Sequence, residues 1–97
     1  MAIDNIIKAL EIEKNTTAYM QMIGLPNEQT DLLLSKLNEK ASSNAVSAEW
    51  FYYIGKVYYH KKNDFKSAME AFEKAYSLDN KPIYLTLIKD CRNKLSE

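Results

Sequence analysis

The segment EWFYYIGKVYYHKK, residues 49–62, constrains the fold most, because its residues suit both a β-hairpin and a helix. Aromatic and β-branched side chains favour strands, and Gly55-Lys56 lies where the two-residue turn of a hairpin would be. The spacing of three or four residues that is typical of one helix face also occurs, at Phe51, Ile54, Gly55 and Tyr58. The rest of the chain has to decide between the two.

Turn-forming residues are scarce along the whole chain. Its 97 residues contain two Gly and two Pro, whereas a multi-stranded β protein needs a turn about every 8–12 residues. The composition therefore favours an all-α chain. Its length suits one domain with one modest core.

Apolar stripes at helical spacing predict two helices in the first half of the chain. The first is predicted over residues 2–23, and it stops at Gly24-Leu25-Pro26. Asn27 is expected to cap the second helix, whose buried stripe is predicted at Leu33, Leu34, Leu37 and Ala41. SSNAVS, residues 42–47, is predicted to be a linker.

Three more helices are predicted in the second half. Ser47 and Asp64 are expected to be the N-caps of the first two, and Pro82 is expected to open the last. The apolar stripe of the last helix is predicted at Tyr84, Leu87, Ile88, Cys91 and Leu95. Short connections between the five helices favour antiparallel neighbours.

Residues 48–96 carry a more specific pattern. Phe51-x2-Ile54-Gly55-x2-Tyr58, followed by Ala68-x3-Phe72, Ala75 and Pro82, resembles a tetratricopeptide repeat. Tyr84-x2-Leu87-Ile88-x2-Cys91 copies the first part of this pattern 33 residues later. A β-hairpin does not account for this copy of the pattern 33 residues later, so residues 49–62 are predicted to be a helix.

The resemblance implies antiparallel helical hairpins in a right-handed stack of about five helices. Residues 1–44 would form an N-terminal helix pair, residues 47–79 the repeat and residues 80–97 a capping helix. Gly55 and Ala68 are small, so two helix backbones are expected to approach closely there. Relative to Gly55, Ala68 comes one residue later than in the family pattern, which predicts a slightly longer turn, with Asn63 in place of the usual glycine.

The chain offers few groups for catalysis. His60 is its only histidine and Cys91 its only cysteine, so neither a catalytic triad nor a metal site with enough ligands can be assembled. His60 and Asp64 are expected to end one helix and cap the next, and Cys91 to be a small buried hydrophobe. We expect no enzymatic activity, no cofactor and no metal.

Charge and hydropathy bear on partners and compartment. The formal net charge is zero, so nucleic-acid binding is not expected, and Lys61-Lys62 is interpreted as a solvated helix end. The lone cysteine indicates a reducing compartment. Without a signal-like start or an apolar run of about 20 residues, the sequence predicts a cytoplasmic protein with no membrane association.

The resemblance also implies a binding site. In tetratricopeptide proteins one face of the first helix of each repeat lines a concave groove for partner peptides, and here that face would hold Tyr52, Lys56, Tyr59 and His60. The matching face of the last helix offers Lys89 and Arg92, beside Leu85 and Asn93. These side chains predict a non-enzymatic interaction module that binds a protein or peptide partner, with carboxylates as the expected counterpart.

Other interpretations remain open. The same side chains could pack against the N-terminal helices or face water. The chain could also be a self-associating structural subunit whose groove is a homodimer interface, or a small chaperone or regulator dedicated to one partner protein.

Overall fold

A computed structural model describes Lys8, residues 22–43 and residues 48–96. Four α-helices lie in these ranges, Thr30–Ser43 (α1), Ala48–Val57 (α2), Phe65–Leu78 (α3) and Pro82–Ser96 (α4). No strand occurs in the described ranges, so the helical prediction for residues 49–62 is confirmed and the hairpin is excluded. Most of the predicted helix at 2–23, the end of the predicted linker and the Ser47 cap lie outside the described residues.

Helix α1 buries the stripe expected from its spacing, Leu33, Leu34, Leu37 and Ala41. The prediction that Asn27 caps this helix is wrong. Asn27 begins a short 3-10 turn, Asn27–Gln29, and Pro26 takes the cap position before it. Proline has no polar side chain to satisfy the free N–H groups, so this helix start has no side-chain cap.

Consecutive helices pack against one another, and α2 lies between α1 and α3. Its Trp50, Tyr53 and Val57 are buried in a cluster with the apolar stripe of α1. On the side of α3 and α4, a second cluster joins Ala68, Phe72, Ile88 and Cys91. Phe51 and Tyr58, which share the helical spacing of the repeat pattern, are only half-buried, whereas Trp50, Tyr53 and Val57 are buried.

Gly55 marks the close approach of α2 and α3, as predicted. An added Cβ at Gly55 would lie 2.5 Å from Cε1 of Phe72 and 2.9 Å from its Cζ. The Phe72 ring is 0 % exposed, so it has no open space to move into. Only glycine fits between these two helices without displacing the ring.

The slightly longer turn predicted between α2 and α3 is not observed, because only Asn63 and Asp64 separate the two helical segments. Residues Tyr58–Lys62 continue α2 as a π-helix, which holds about one residue more per turn than an α-helix. Asn63 then adopts a left-handed conformation with φ 52°, which asparagine tolerates better than most residues. Asp64 caps α3 as predicted, because its Oδ1 accepts a hydrogen bond of 3.1 Å from the Ser67 N–H.

Helix α4 begins at Pro82, as predicted, and buries Tyr84, Ile88 and Cys91. Leu95, expected on the same stripe, is 49 % exposed. Contacts run from Tyr84 beside Ala75 to Cys91 beside Ala68, so Leu95 lies one turn further, where α3 begins and no longer covers it. Within the described part of the chain, no helix has the length and apolar character needed to cross a membrane.

Candidate protein-binding face of α2 and α4

Helix α2 presents one flank that does not face α1. Burial of Trp50 and Val57 against α1 fixes the rotation of the helix, and Tyr52, Lys56 and Tyr59 follow one another at i, i+4 and i+7 on another side. All three are half-buried rather than exposed. Part of this flank is therefore buried by contacts within the protein.

The Tyr52 ring is a contact between helices. Its centroid lies 5.8 Å from that of Tyr84 in α4 and 6.4 Å from that of Phe72 in α3. Burial raises the pKa of the Tyr52 hydroxyl. The ring thus joins three helices, and only part of it can contact a ligand.

Lys56 sits over this ring, with its Nζ 5.8 Å from the Tyr52 centroid. Burial lowers the pKa of Lys56, while the carboxylate of Asp90 acts in the opposite direction. A cation over an aromatic face is attracted by the ring. Lys56 is therefore held within the structure and is not a free surface charge.

Tyr59 connects α2 to the side of α4. Its hydroxyl donates a hydrogen bond to Oδ2 of Asp90, and its ring meets those of His60 and Phe65 edge-on at 4.9 Å and 5.1 Å. The sequence interpretation missed Asp90. One signal was available, since Asp90 is the sole acid among residues 82–96, beside three basic residues.

His60 is the exposed end of this flank. Partial burial and the nearby Lys56 lower the pKa of its imidazole, so the ring is neutral at neutral pH. Across the described residues, no three His, Cys, Asp or Glu side chains come together in a way that could hold a metal ion.

Lys89 and Arg92 do not join the α2 flank. Both side chains are exposed on α4. At 3.6 residues per turn they lie about 100° and about 160° around α4 from Asp90, the residue that touches Tyr59. The six residues predicted to line one groove are therefore divided between a half-buried α2 flank and an open side of α4.

The lysines of the π-helical turn have contacts of their own. Nζ of Lys61 donates to the backbone oxygen of Leu25 at 2.6 Å, and Lys62 pairs with Asp31. The hydrogen bond to Asp31 raises the pKa of Lys62. These contacts link the end of the α2 extension to the start of α1.

Cys91 is 0 % exposed, and burial raises the pKa of its thiol to about 11. The thiol is therefore protonated and unreactive at neutral pH. The prediction of a small buried hydrophobe is confirmed.

Comparison with protein-family models gave no match, and neither the curated proteins nor the solved structures gave one.

Proposed function

We propose that this chain is a non-enzymatic protein–protein interaction module with a tetratricopeptide-like architecture, which binds a peptide or helix of a partner protein. The helix order and packing support it. Consecutive helices α2, α3 and α4 pack on one another, and Gly55 meets Phe72 where the repeat pattern needs a small residue. The proposal includes a right-handed five-helix stack in which residues 1–44 supply the first helix pair.

The proposal depends on one observation above the others, the exposed cations of α4 beside partly exposed aromatic rings at the end of the α2 flank. Tyr59 is half-buried and His60 is exposed, and such rings offer flat area that costs little conformational entropy on binding. Lys89 and Arg92 add exposed positive charge. Aromatic side chains and arginine carry much of the energy of protein interfaces.

The test is to identify a partner in the native source, purify it and measure its binding to the chain by calorimetry. We expect a defined stoichiometry and a dissociation constant that rises when His60, Lys89 and Arg92 are each changed to Glu. Lys66→Glu on α3, also an exposed lysine, is the control and is expected to change affinity by less than about twofold. A purified partner that binds all four variants equally well would contradict the proposed face.

Self-association is the second candidate, and two exposed apolar side chains favour it. Leu78 at the end of α3 is 42 % exposed and Ile83 at the start of α4 is 50 % exposed, so both flank the same turn. Exposed apolar residues that cluster mark interfaces more often than isolated ones do. Sedimentation equilibrium over a wide concentration range separates the candidates, because a dimer that weakens on Ile83→Ser would support the structural subunit.

A further inference from the structure

The π-helical turn, Tyr58–Lys62, has a backbone hydrogen-bond pattern that differs from that of an α-helix. The carbonyl oxygen of Tyr58 accepts hydrogen bonds from the N–H groups of Asn63 and Asp64, the second at 3.0 Å. In an α-helix it would accept from the N–H of Lys62 instead. Such turns are rare and often lie at functional sites. Asn63 is also left-handed, a conformation that persists only where surrounding contacts hold it.

Side chains of this turn contact two separate parts of the fold. On one side, the Tyr59 hydroxyl donates to Asp90 of α4. On the other side, Nζ of Lys61 donates to the backbone oxygen of Leu25 at 2.6 Å, just before the start of α1. Lys62 adds to this second side by pairing with a carboxylate of α1. The turn therefore joins the start of α1 to α4.

The winding of the turn sets the angle between these contacts. Successive side chains lie about 100° apart around an α-helix, and about 80° apart where a turn holds about one residue more. Lys61 and Lys62 follow Tyr59 by two and three residues, so α-winding would rotate them by about 40° and about 60° relative to Tyr59. The Tyr59 ring has little freedom to compensate, because it meets the rings of His60 and Phe65. The π-winding therefore satisfies the contacts on both sides best.

We propose that the π-helical turn is a two-state element that couples the start of α1 to α4. Lys61 and Lys62 hold its π-winding on one side and Tyr59 holds it on the other. Loss of the contacts on either side lets the turn adopt α-winding, which weakens the contacts on the other side.

The coupling reaches the candidate binding face, because His60 lies in the same turn and is exposed. A change of winding reorients its imidazole. A ligand that binds this face and a contact at the start of α1 then affect each other equally, as linkage requires. The coupling itself needs no partner, so it does not rest on the proposed function.

Nuclear magnetic resonance identifies the acceptor of the Asn63 N–H, through the coupling that a hydrogen bond transmits from the amide nitrogen to the acceptor carbonyl carbon. In the wild-type chain we expect this coupling to Tyr58. Lys61→Met with Lys62→Met removes both lysine contacts, and Tyr59→Phe removes the hydroxyl on the other side. Each change is expected to reduce the coupling to Tyr58 by about half or more and to produce a new coupling to residue 59, the acceptor in α-winding.

Urea denaturation measures the same coupling as a fold-change. In the wild-type chain Tyr59→Phe is expected to raise the unfolding equilibrium constant about fivefold, the typical effect of removing one hydrogen bond. In the background with Lys61→Met and Lys62→Met, it should raise this constant less than about twofold, because the contact is already weakened. The control background, Lys66→Met with Lys81→Met, removes the same charge and one surface ion pair, and should leave the effect of Tyr59→Phe as it is in the wild type.

Two results would overturn the proposal. One is an Asn63 N–H that keeps Tyr58 as its acceptor in both variants, and the other is an equal effect of Tyr59→Phe in all three backgrounds. Circular dichroism checks that every variant folds. If the variant with both lysines changed does not fold, Lys62→Met alone, which removes only an exposed ion pair, takes its place in both measurements. Neither measurement contains a partner, so their outcome is separate from the calorimetry that tests the proposed function.

Discussion

Replacing Gly55 with alanine sets two effects of opposite sign against each other. In a helix interior alanine is favoured over glycine by about 1 kcal/mol, so propensity alone predicts a more stable protein. The structure predicts the reverse. The new Cβ would lie 2.5 Å from Cε1 of Phe72, about 1 Å closer than two carbon atoms normally approach.

Displacing the Phe72 ring is expected to cost free energy. It is 0 % exposed and packs in the same cluster as Ala68, Ile88 and Cys91. Overpacking at such a site typically costs about 1–3 kcal/mol, occasionally more. After the propensity gain of about 1 kcal/mol is subtracted, we expect Gly55→Ala to lower the free energy of unfolding by up to about 2 kcal/mol. Gly55→Leu, with a larger side chain, should cost more.

Urea denaturation followed by circular dichroism measures this change as a lower midpoint at constant slope. Ser35→Ala, at an exposed position within α1, is the matched control and should stay within about 0.5 kcal/mol of the wild type. The variant Phe72→Leu removes the ring that the new Cβ meets. In the double variant, Gly55→Ala should therefore cost at least about 0.5 kcal/mol less than it does alone.

Two results would refute this reasoning. If Gly55→Ala raised the urea midpoint, helix propensity would outweigh the contact and the two helices would not be closely packed at Gly55. If the costs of Gly55→Ala and Phe72→Leu simply added, the clash would lie elsewhere. Either result would remove the main packing argument for the repeat.

Three further predictions concern capping, alkaline pH and the α2 flank. Asp64→Ala should lower the free energy of unfolding by about 1 kcal/mol in urea titrations, because the Ser67 N–H loses its cap, whereas Asp79→Ala, which removes no N-cap, should cost less. Burial raises the pKa of Tyr53 from 10.0 to about 12, so the folded state holds the phenol proton more tightly. This contribution is fully present below pH 10 and is lost as the pH rises towards 12; melts across that range should show the loss, and Tyr53→Phe should reduce it. Lys56→Glu should lower the melting temperature by about 4–8 °C, as expected for a loss of about 1 kcal/mol, because it places a carboxylate near Asp90. The control, Lys89→Glu at an exposed position, should leave the melting temperature nearly unchanged. Equal melting temperatures for the two variants would show that Lys56 is not held in the structure.

Local signals in the sequence predicted the parts of the fold that depend on single positions. Gly55 follows from the small size of its residue type, the Asp64 cap from side-chain hydrogen bonding, and the start of α4 at Pro82 from the fixed backbone angle of proline. The spacing of Leu33, Leu34 and Leu37 also sufficed for α1, because that helix has one buried face.

Helix α2 could not be predicted to the same degree. A helix that packs on two neighbours carries apolar residues on most of its circumference, so periodicity does not show which of them are covered more completely. Trp50, Tyr53 and Val57 are buried by contacts with α1, a helix that is distant in sequence, whereas Phe51 and Tyr58 are only half-buried. The Asn27 cap failed for a local reason, since Pro26 comes just before it.

Only part of the candidate site could be predicted from the sequence. The shift of 33 residues predicts that the flanks of α2 and α4 hold equivalent positions on their helices. It could not show that α4 covers the first flank and leaves the second open, because that depends on the neighbour each helix has. The contact between Tyr59 and Asp90 spans 31 residues, and no local pattern indicates it.

The π-helical turn at Tyr58–Lys62 gives the chain a place that can absorb a change in length. One residue deleted there can be accommodated by rewinding the turn as an ordinary α-helix, which leaves α2 and α3 in their contact at Gly55 and Phe72. A deletion within Ala48–Val57 cannot be accommodated in this way, because every side chain after it rotates by about 100° around the helix axis. Trp50 and Val57 could then no longer face α1 together. A single-residue deletion is therefore expected to be tolerated at residues 58–62 and to destabilise the fold one turn earlier.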